Sequence, residues 1–482
     1  MKIFFPLPVY WFLTGWLIVA PLISPAQGAD QKTITLVTGP ETSDLLQSLG
    51  DPLQRVAGIK SGEIHFHVML DNTLNAMALP GQNIILNSGL LLAVHDRDEL
   101  AAVMAHEMGH LSAGHHIQLE ASMKDAALRT MIAFAAGIAA GVATGNSQVT
   151  QAAIMGGTAA SELSLLDAVR EKETQADRLA VGYLIAAGFD PQGMVRFMER
   201  LNREQRISTL PPPYLLTHPL GSQRLMECQQ QIDTLLTATA TSGKNAAPRP
   251  DAFRLDETRH RQSADNALLA RVQAVLEAGT SDDLNGVMAR FRQRLDRDPD
   301  NFPARYGLAV AERYMGQLEA ATTDLEILLK QQADDPYLLR ERGMTRLELG
   351  KPEAAEKDFR AALVHQPKRT NADLLYRLAF SLNEQEKLTD ADHILRQLTL
   401  EYPLIADYFY LLGIVEGKQN HLGASHLALA RHAYLTMEKK MARWHYKEAI
   451  RDFSSNDTGK SIARDELTRL EQLEKAAPRR EQ

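Results

Sequence analysis

The sequence predicts a mostly α-helical protein in two parts: an α+β domain carrying a metal-binding helix, then an all-α superhelix of tandem helix pairs. Three observations predict it. HEMGH, residues 106–110, lies inside a helical pattern. Short apolar runs, FHVML and NIILN, alternate with Gly and Asn ahead of it and read as strands. Beyond residue 262 one helix–turn–helix grammar recurs. With 482 residues the chain exceeds one compact core. Its net charge of -8, with Lys and Arg spread along the length, gives no basic patch for a nucleic-acid partner. The single cysteine, Cys228, excludes an intramolecular disulfide framework and a multi-thiolate metal site.

At the N-terminus Lys2 precedes an uncharged apolar run centred on WFLTGWLIVA, then SPAQGAD. That is the layout of a secretory signal peptide over residues 1–28, with Ala26 and Gly28 as the small residues before the cut. An uncleaved anchor is the alternative, and Pro6, Pro8 and Pro21 argue against one unbroken spanning helix. The first domain is expected over residues 29–235 and a flexible linker over 236–262, where ATATSGKNAAPRPD sits. Residues 130–161 carry no charge and are rich in Gly and Ala. They read as two close-packed helices or a flap beside the site, with membrane insertion as the alternative. Residues 263–482 form the repeat domain, with Gly307, Gly343, Ala379 and Gly413 at the small position where paired helices touch. Ala355, Phe359, Ala362 and Pro367 follow the second-helix pattern of a tetratricopeptide repeat. Such arrays bind proteins or peptides on a concave face.

His106, Glu107 and His110 form H-E-x-x-H. On a helix the two imidazoles share a face and can reach one ion, with Glu107 placed to take a proton from water. A hydrolytic zinc site needs a third protein ligand. His116 is one candidate, but its pattern requires glycine at residue 113, where Ala113 stands, and Gly114 comes one place late. Glu173 is the other. It lies four residues from Asp177 on one helical face, and Ala176 and Ala180 keep that face slim enough to pack on the first helix. Asp177 could then orient a ligand histidine through its other ring nitrogen. His218 precedes Pro219, which enforces extended or turn geometry and lets the ring enter a cleft as a fourth ligand or switch; packing the turn is the alternative. Arg224 is a candidate transition-state stabiliser or the partner of an acid. His95, His115 and His116 read as surface or supporting residues.

HEMGH, ETQAD and THPLGSQRL, together with NAMALPGQNIILNSGLL, resemble the gluzincin metalloproteases related to the CAAX prenyl endopeptidases. The resemblance covers nearly the whole chain, and Gln82 departs from it where glycine is common. It implies an α+β zincin-type metalloprotease domain with one Zn2+ held by His106, His110 and Glu173. By it, Glu107 is the catalytic base and Asp177 a second functional acid, as proton donor or orienter. It also implies an edge strand, Gln82, Asn83, Ile84, Ile85, Leu86 and Asn87, that pairs with substrate backbone. With the signal segment and repeats, it points to a periplasmic endopeptidase and chaperone. Such a protein promotes assembly of outer-membrane β-barrel proteins and degrades misfolded or stalled ones. Its partners would be those proteins and the outer-membrane assembly machinery, with peripheral membrane association. Two rivals remain: a repeat-based chaperone or binding module with a largely latent metal site, and a membrane-anchored protease.

Overall fold

The computed structural model describes residues 36–37, 39–79, 81–114, 159–207, 213–242, 252–365 and 371–476. The signal segment, the uncharged stretch up to residue 158, His115, His116, Pro367 and residues 243–251 of the linker lie outside the described residues. The chain divides into two compact units, Glu41–Thr280 and one built on Ser281–Gln482. The boundary therefore falls beyond residue 263, inside the stretch that the sequence reads as a degenerate leading repeat.

In the first unit, helix α1 (Pro40–Val56) is followed by strands β1 (His65–Met69), β2 (Ala76–Leu79) and β3 (Asn83–Asn87). β3 lies between the other two, parallel to β1 and antiparallel to β2. Its alternation sends Ile84 and Leu86 into the core. Leu79 pairs with Asn83 across a hairpin whose turn holds Gly81 and Gln82 in the left-handed region, at φ 79° and 61°. Short α2 (Ser88–Ala93) leads into α3 (Arg97–Ser112). Asp96 caps α3, its carboxylate accepting from Glu99 N at 2.9 Å. α3 is buried nearly all round: Leu100, Ala101, Met104, Ala105 and Met108 are fully enclosed. Each large apolar side chain so enclosed contributes about 1.5–3 kcal/mol.

Four more helices follow: α4 (Ala159–Ala187) and α5 (Gln192–Ile207), which pack on α3, short α6 (Pro213–Thr217), and α7 (Ser222–Ser242), which packs on α4 and α5. The long helix α8 (Ala252–Gly279) closes the unit. Arg97 pairs with Asp265 at 2.7 Å, and both are buried. Asn266 accepts from Arg97 N at 2.7 Å, and Gln273 donates to the carbonyls of Leu91 and Val94 at 2.9 and 2.8 Å. These polar bonds tie α8 to the start of α3, so residues 263–280 belong with the first unit.

The second unit begins with α9 (Leu284–Arg297) and continues as α10 (Phe302–Tyr314), α11 (Leu318–Gln331), α12 (Pro336–Glu348) and α13 (Pro352–His365). Then come α14 (Ala372–Glu384), α15 (Leu388–Glu401), α16 (Ala406–Lys418), α17 (Leu422–Leu435), α18 (Lys439–Asp452) and α19 (Thr458–Ala476). It is an all-α array of the tetratricopeptide kind. A Cβ on Gly343 would meet the Phe359 ring at 2.6 Å, and one on Gly413 would meet Leu429 at 2.7 Å, so paired helices approach closely at these positions. Gly307 is two places out of register. The eighth residue of α10, matching Gly343, Ala379 and Gly413, is the fully buried Ala309, which gives spacings of 34, 36 and 34 residues. Gly307 instead receives the ring of Phe291 from α9.

Candidate active site

α3 and α4 build the site. They approach so closely that a Cβ on Gly109 would lie 2.7 Å from the carbonyl oxygen of Ala176. The glycine between the motif histidines and the alanine between Glu173 and Asp177 therefore bring the faces that carry these side chains together. His106 and His110 turn their Nε2 atoms to within 3.1 Å of each other. Glu173 meets both: Oε2 is 3.4 Å from His106 Nε2 and Oε1 is 3.3 Å from His110 Nε2. His218, after α6, brings Nδ1 to 3.2 Å from Glu173 Oε2 and 3.3 Å from His106 Nε2. His106, His110, Glu173 and His218 each offer one donor atom, all within 4.8 Å of one another.

This donor set fits a metal ion. Nitrogen and carboxylate oxygen without thiolate suit Zn2+. Glu107 is fully buried, yet neither carboxylate oxygen has a hydrogen-bond partner among the described residues. A carboxylate without hydrogen bonds is costly in an apolar interior, and a cation with its water would supply what is lacking. Oε1 of Glu107 lies 3.4 Å from His218 Nε2, so the acid borders the cluster at His218.

Asp177 stands behind His106, with Oδ1 2.9 Å from His106 Nδ1. Arg224, on α7, grips Asp177 through Nε and Nη2 at 2.7 and 2.8 Å. Its Nη1 reaches Glu173 Oε2 at 3.0 Å and Pro219 O at 2.7 Å. The guanidinium is thus committed to two acids and the turn that carries His218. In this structure it is not aimed at an oxyanion, and of the two sequence alternatives it takes the acid-pairing one. Burial opposes charge on His106, but the hydrogen bonds it donates to Asp177 and Glu173 raise its pKa to about 10. Burial also works against ionised Glu173, yet the charge of His218 and bonds from the three histidines hold it well below the usual carboxylate range. Asp177 is likewise lowered, against burial, by His106 and Arg224.

Two sequence expectations need correcting or setting aside. Gln82–Asn87 is not an edge. β3 is hydrogen-bonded on both sides, and β2, Ala76–Leu79, is a strand at one end of the sheet. Apolar alternation marks a half-buried strand but carries no information on how many neighbours it has. His116 lies outside the described residues; α3 itself ends at Ser112, with Gly114 left-handed at φ 68°. His95 is exposed near Glu99, as expected. Tyr214 went unnoticed in the sequence. Its ring centroid lies 4.7 Å from that of His218, and its amide donates to Leu74 O at 3.1 Å, linking α6 to the segment before β2. No spacing rule points to it. Cys228 is buried beneath this network, and burial pushes its thiol pKa up.

Comparison with known proteins agrees with this geometry. Residues 40–232 match Peptidase family M48. The chain is 25% identical over 370 residues to the beta-barrel assembly-enhancing protease of Yersinia pestis, covering 76% of this chain and 71% of that one. It is 30% identical over 210 residues to the protein of the same name from Escherichia coli, covering 44% of this chain and 43% of that one. The latter match spans less than half of the relative's length. The mitochondrial metalloendopeptidase OMA1 of Schizosaccharomyces pombe is 26% identical over 187 residues, 39% of this chain and 52% of that one. Residues 40–232 are therefore a metalloendopeptidase domain of Peptidase family M48.

Proposed function

We propose that this chain is a periplasmic zinc-dependent endopeptidase that acts on outer-membrane β-barrel proteins, assisting their assembly and degrading misfolded or stalled copies. The observation that carries the peptidase reading is the convergence of His106, His110 and Glu173 beside Glu107, whose carboxylate has no hydrogen-bond partner among the described residues. The assembly role rests on the names of the Yersinia and Escherichia relatives, and protein binding on the repeat array. The periplasmic placement rests on the N-terminal segment of residues 1–28. Among the described residues no helix is long and apolar enough to cross a membrane.

His106, His110 and Glu173 would hold Zn2+, which supplies the Lewis acidity that acidifies water and polarises a peptide carbonyl. Glu107 accepts the proton at a carboxylate oxygen and returns it to the leaving amine. Asp177 holds His106 through Nδ1, and Arg224 fixes Asp177 and Glu173 together. The free side of β2 offers a substrate backbone four residues of ladder, giving affinity without sequence selectivity. Beside His106 and His218 an apolar cavity lined by Met194, Phe197, Met198 and Leu201 would take a side chain.

His218 favours a second state of the same site. Its contact with Glu173 would let it serve the ion as a fourth donor in place of water, a latent arrangement. The deciding experiment measures zinc per mole and casein-type proteolysis for wild type, Glu173→Ala, His116→Ala, Glu107→Gln and His218→Ala. Metal lost in Glu173→Ala but kept in His116→Ala supports the ligand set. Glu107→Gln should retain zinc and lose about two to four orders of magnitude in rate. His218→Ala should keep zinc and gain activity. Loss of zinc in His116→Ala alone overturns the ligand assignment.

A further inference from the structure

A second group of ligating side chains lies in the repeat unit. His445, Glu448 and Asp452 stand three and four residues apart on α18, so they share one face. That face meets α17, which contributes His426. Donor atoms of His426, Glu448 and Asp452 all lie within 4.8 Å of one another. His426 Nε2 is 3.7 Å from Asp452 Oδ2. Its other nitrogen, Nδ1, is 2.9 Å from Nδ1 of His445.

That pairing of the two rings gives the cluster a direction. With His445 against Nδ1, the tautomer of His426 that donates there leaves the Nε2 lone pair facing the two carboxylates. A ligating histidine is commonly held this way, through a hydrogen bond on its far nitrogen. Arg451 pairs with Glu448 Oε2 and with Asp452 Oδ1, the latter at 3.1 Å, so Asp452 Oδ2 is the oxygen turned to His426. The three side chains are 15–20% exposed, open enough for an ion to enter from solvent and keep water as its remaining ligands.

We propose that His426, Glu448 and Asp452 form a second divalent-metal site, within the repeat unit, for a transition ion of the Zn2+ and Co2+ class. One nitrogen and two carboxylate oxygens suit such ions, and the absence of thiolate disfavours Cu(I). His445 is a positioning residue that acts through His426. The proposal does not depend on how the peptidase site is read.

Trp444 supplies the readout. Its ring lies edge-on to His426, with centroids 5.5 Å apart, and 4.6 Å from that of His445. The test titrates the full chain with Co2+, an open-shell ion that quenches nearby indole, and follows tryptophan emission. Trp444→Phe identifies the reporter, and Glu173→Ala removes the peptidase ion. Quenching that persists in Glu173→Ala and disappears in both His426→Asn and Asp452→Asn supports the site. Prior addition of Zn2+ should block the quenching. His445→Gln should weaken Co2+ binding by about 10–100-fold without abolishing it. Far-UV circular dichroism checks that the variants fold, and Asp452→Asn keeps the shape of the side chain it replaces. Absence of saturable quenching in wild type overturns the proposal. So does quenching that is unchanged in the folded Asp452→Asn protein.

Discussion

At the scale of single residues, Gly109 is the most constrained position in the active-site helix. A methyl group there would meet the backbone of Ala176 at 2.7 Å, and neither helix can yield without moving His106, His110 or Glu173. Gly109→Ala should destabilise the peptidase unit by about 1–3 kcal/mol and lower its zinc content. Denaturant midpoints and metal analysis check this, and a variant with wild-type stability and full zinc would contradict it. Gln82 is constrained in another way, by a left-handed backbone at φ 61° that costs a side chain about 1–2 kcal/mol. Gln82→Gly should therefore raise the midpoint of the same unit, whereas a drop would mean that the Gln82 side chain compensates for the strain. The helical spacing made His106, Glu107, His110, Glu173 and Asp177 legible in the sequence, because one turn dictates which side chains share a face. Arg224 was ambiguous because its partner is 47 residues away, a separation no local pattern encodes.

At the scale of elements, the turns of the repeats show the same grammar twice. Gly316, Gly350, Glu386 and Asn420 are left-handed at φ 72°, 70°, 56° and 63°, spaced by 34, 36 and 34 residues. Each stands just beyond the first helix of its pair, where glycine is the usual choice. Glu386 is the costly member of the series. Glu386→Gly should stabilise the repeat unit by about 1 kcal/mol, since the Lys418 contact it removes is an exposed ion pair. An unchanged or lowered unfolding midpoint for that unit would count against the reading. The helix pairs were readable from the sequence, while the register of the first pair was not. Gly307 draws attention as a glycine, but Ala309 occupies the equivalent position. Strand order was illegible too. A two-residue alternation locates β3 and says nothing of its two neighbours, so the edge passed to β2.

At the scale of the whole molecule, each unit has its own buried polar framework, and acid should find the repeats through theirs. Burial alone would raise the pKa of Asp373, but Arg340 and Arg377 bring it down to about 2, from an ordinary 3.8. A carboxylate depressed in the folded state contributes its stability above the unfolded value. That contribution fades as pH falls from about 4 towards 2. Asp373→Asn should flatten the loss of stability across that window, measured as urea midpoint against pH for the repeat transition. Equal slopes for the two proteins would rule Asp373 out as a source. Cys228 carries a different consequence. It is the chain's only thiol, buried beneath Asp177 and Arg224, so a disulfide reagent can reach it only when α7 lifts away. The rate at which the native protein is labelled thus acts as a clock for opening at the back of the catalytic centre. If His106, His110 and Glu173 hold zinc as proposed, loading the protein with zinc should slow that clock.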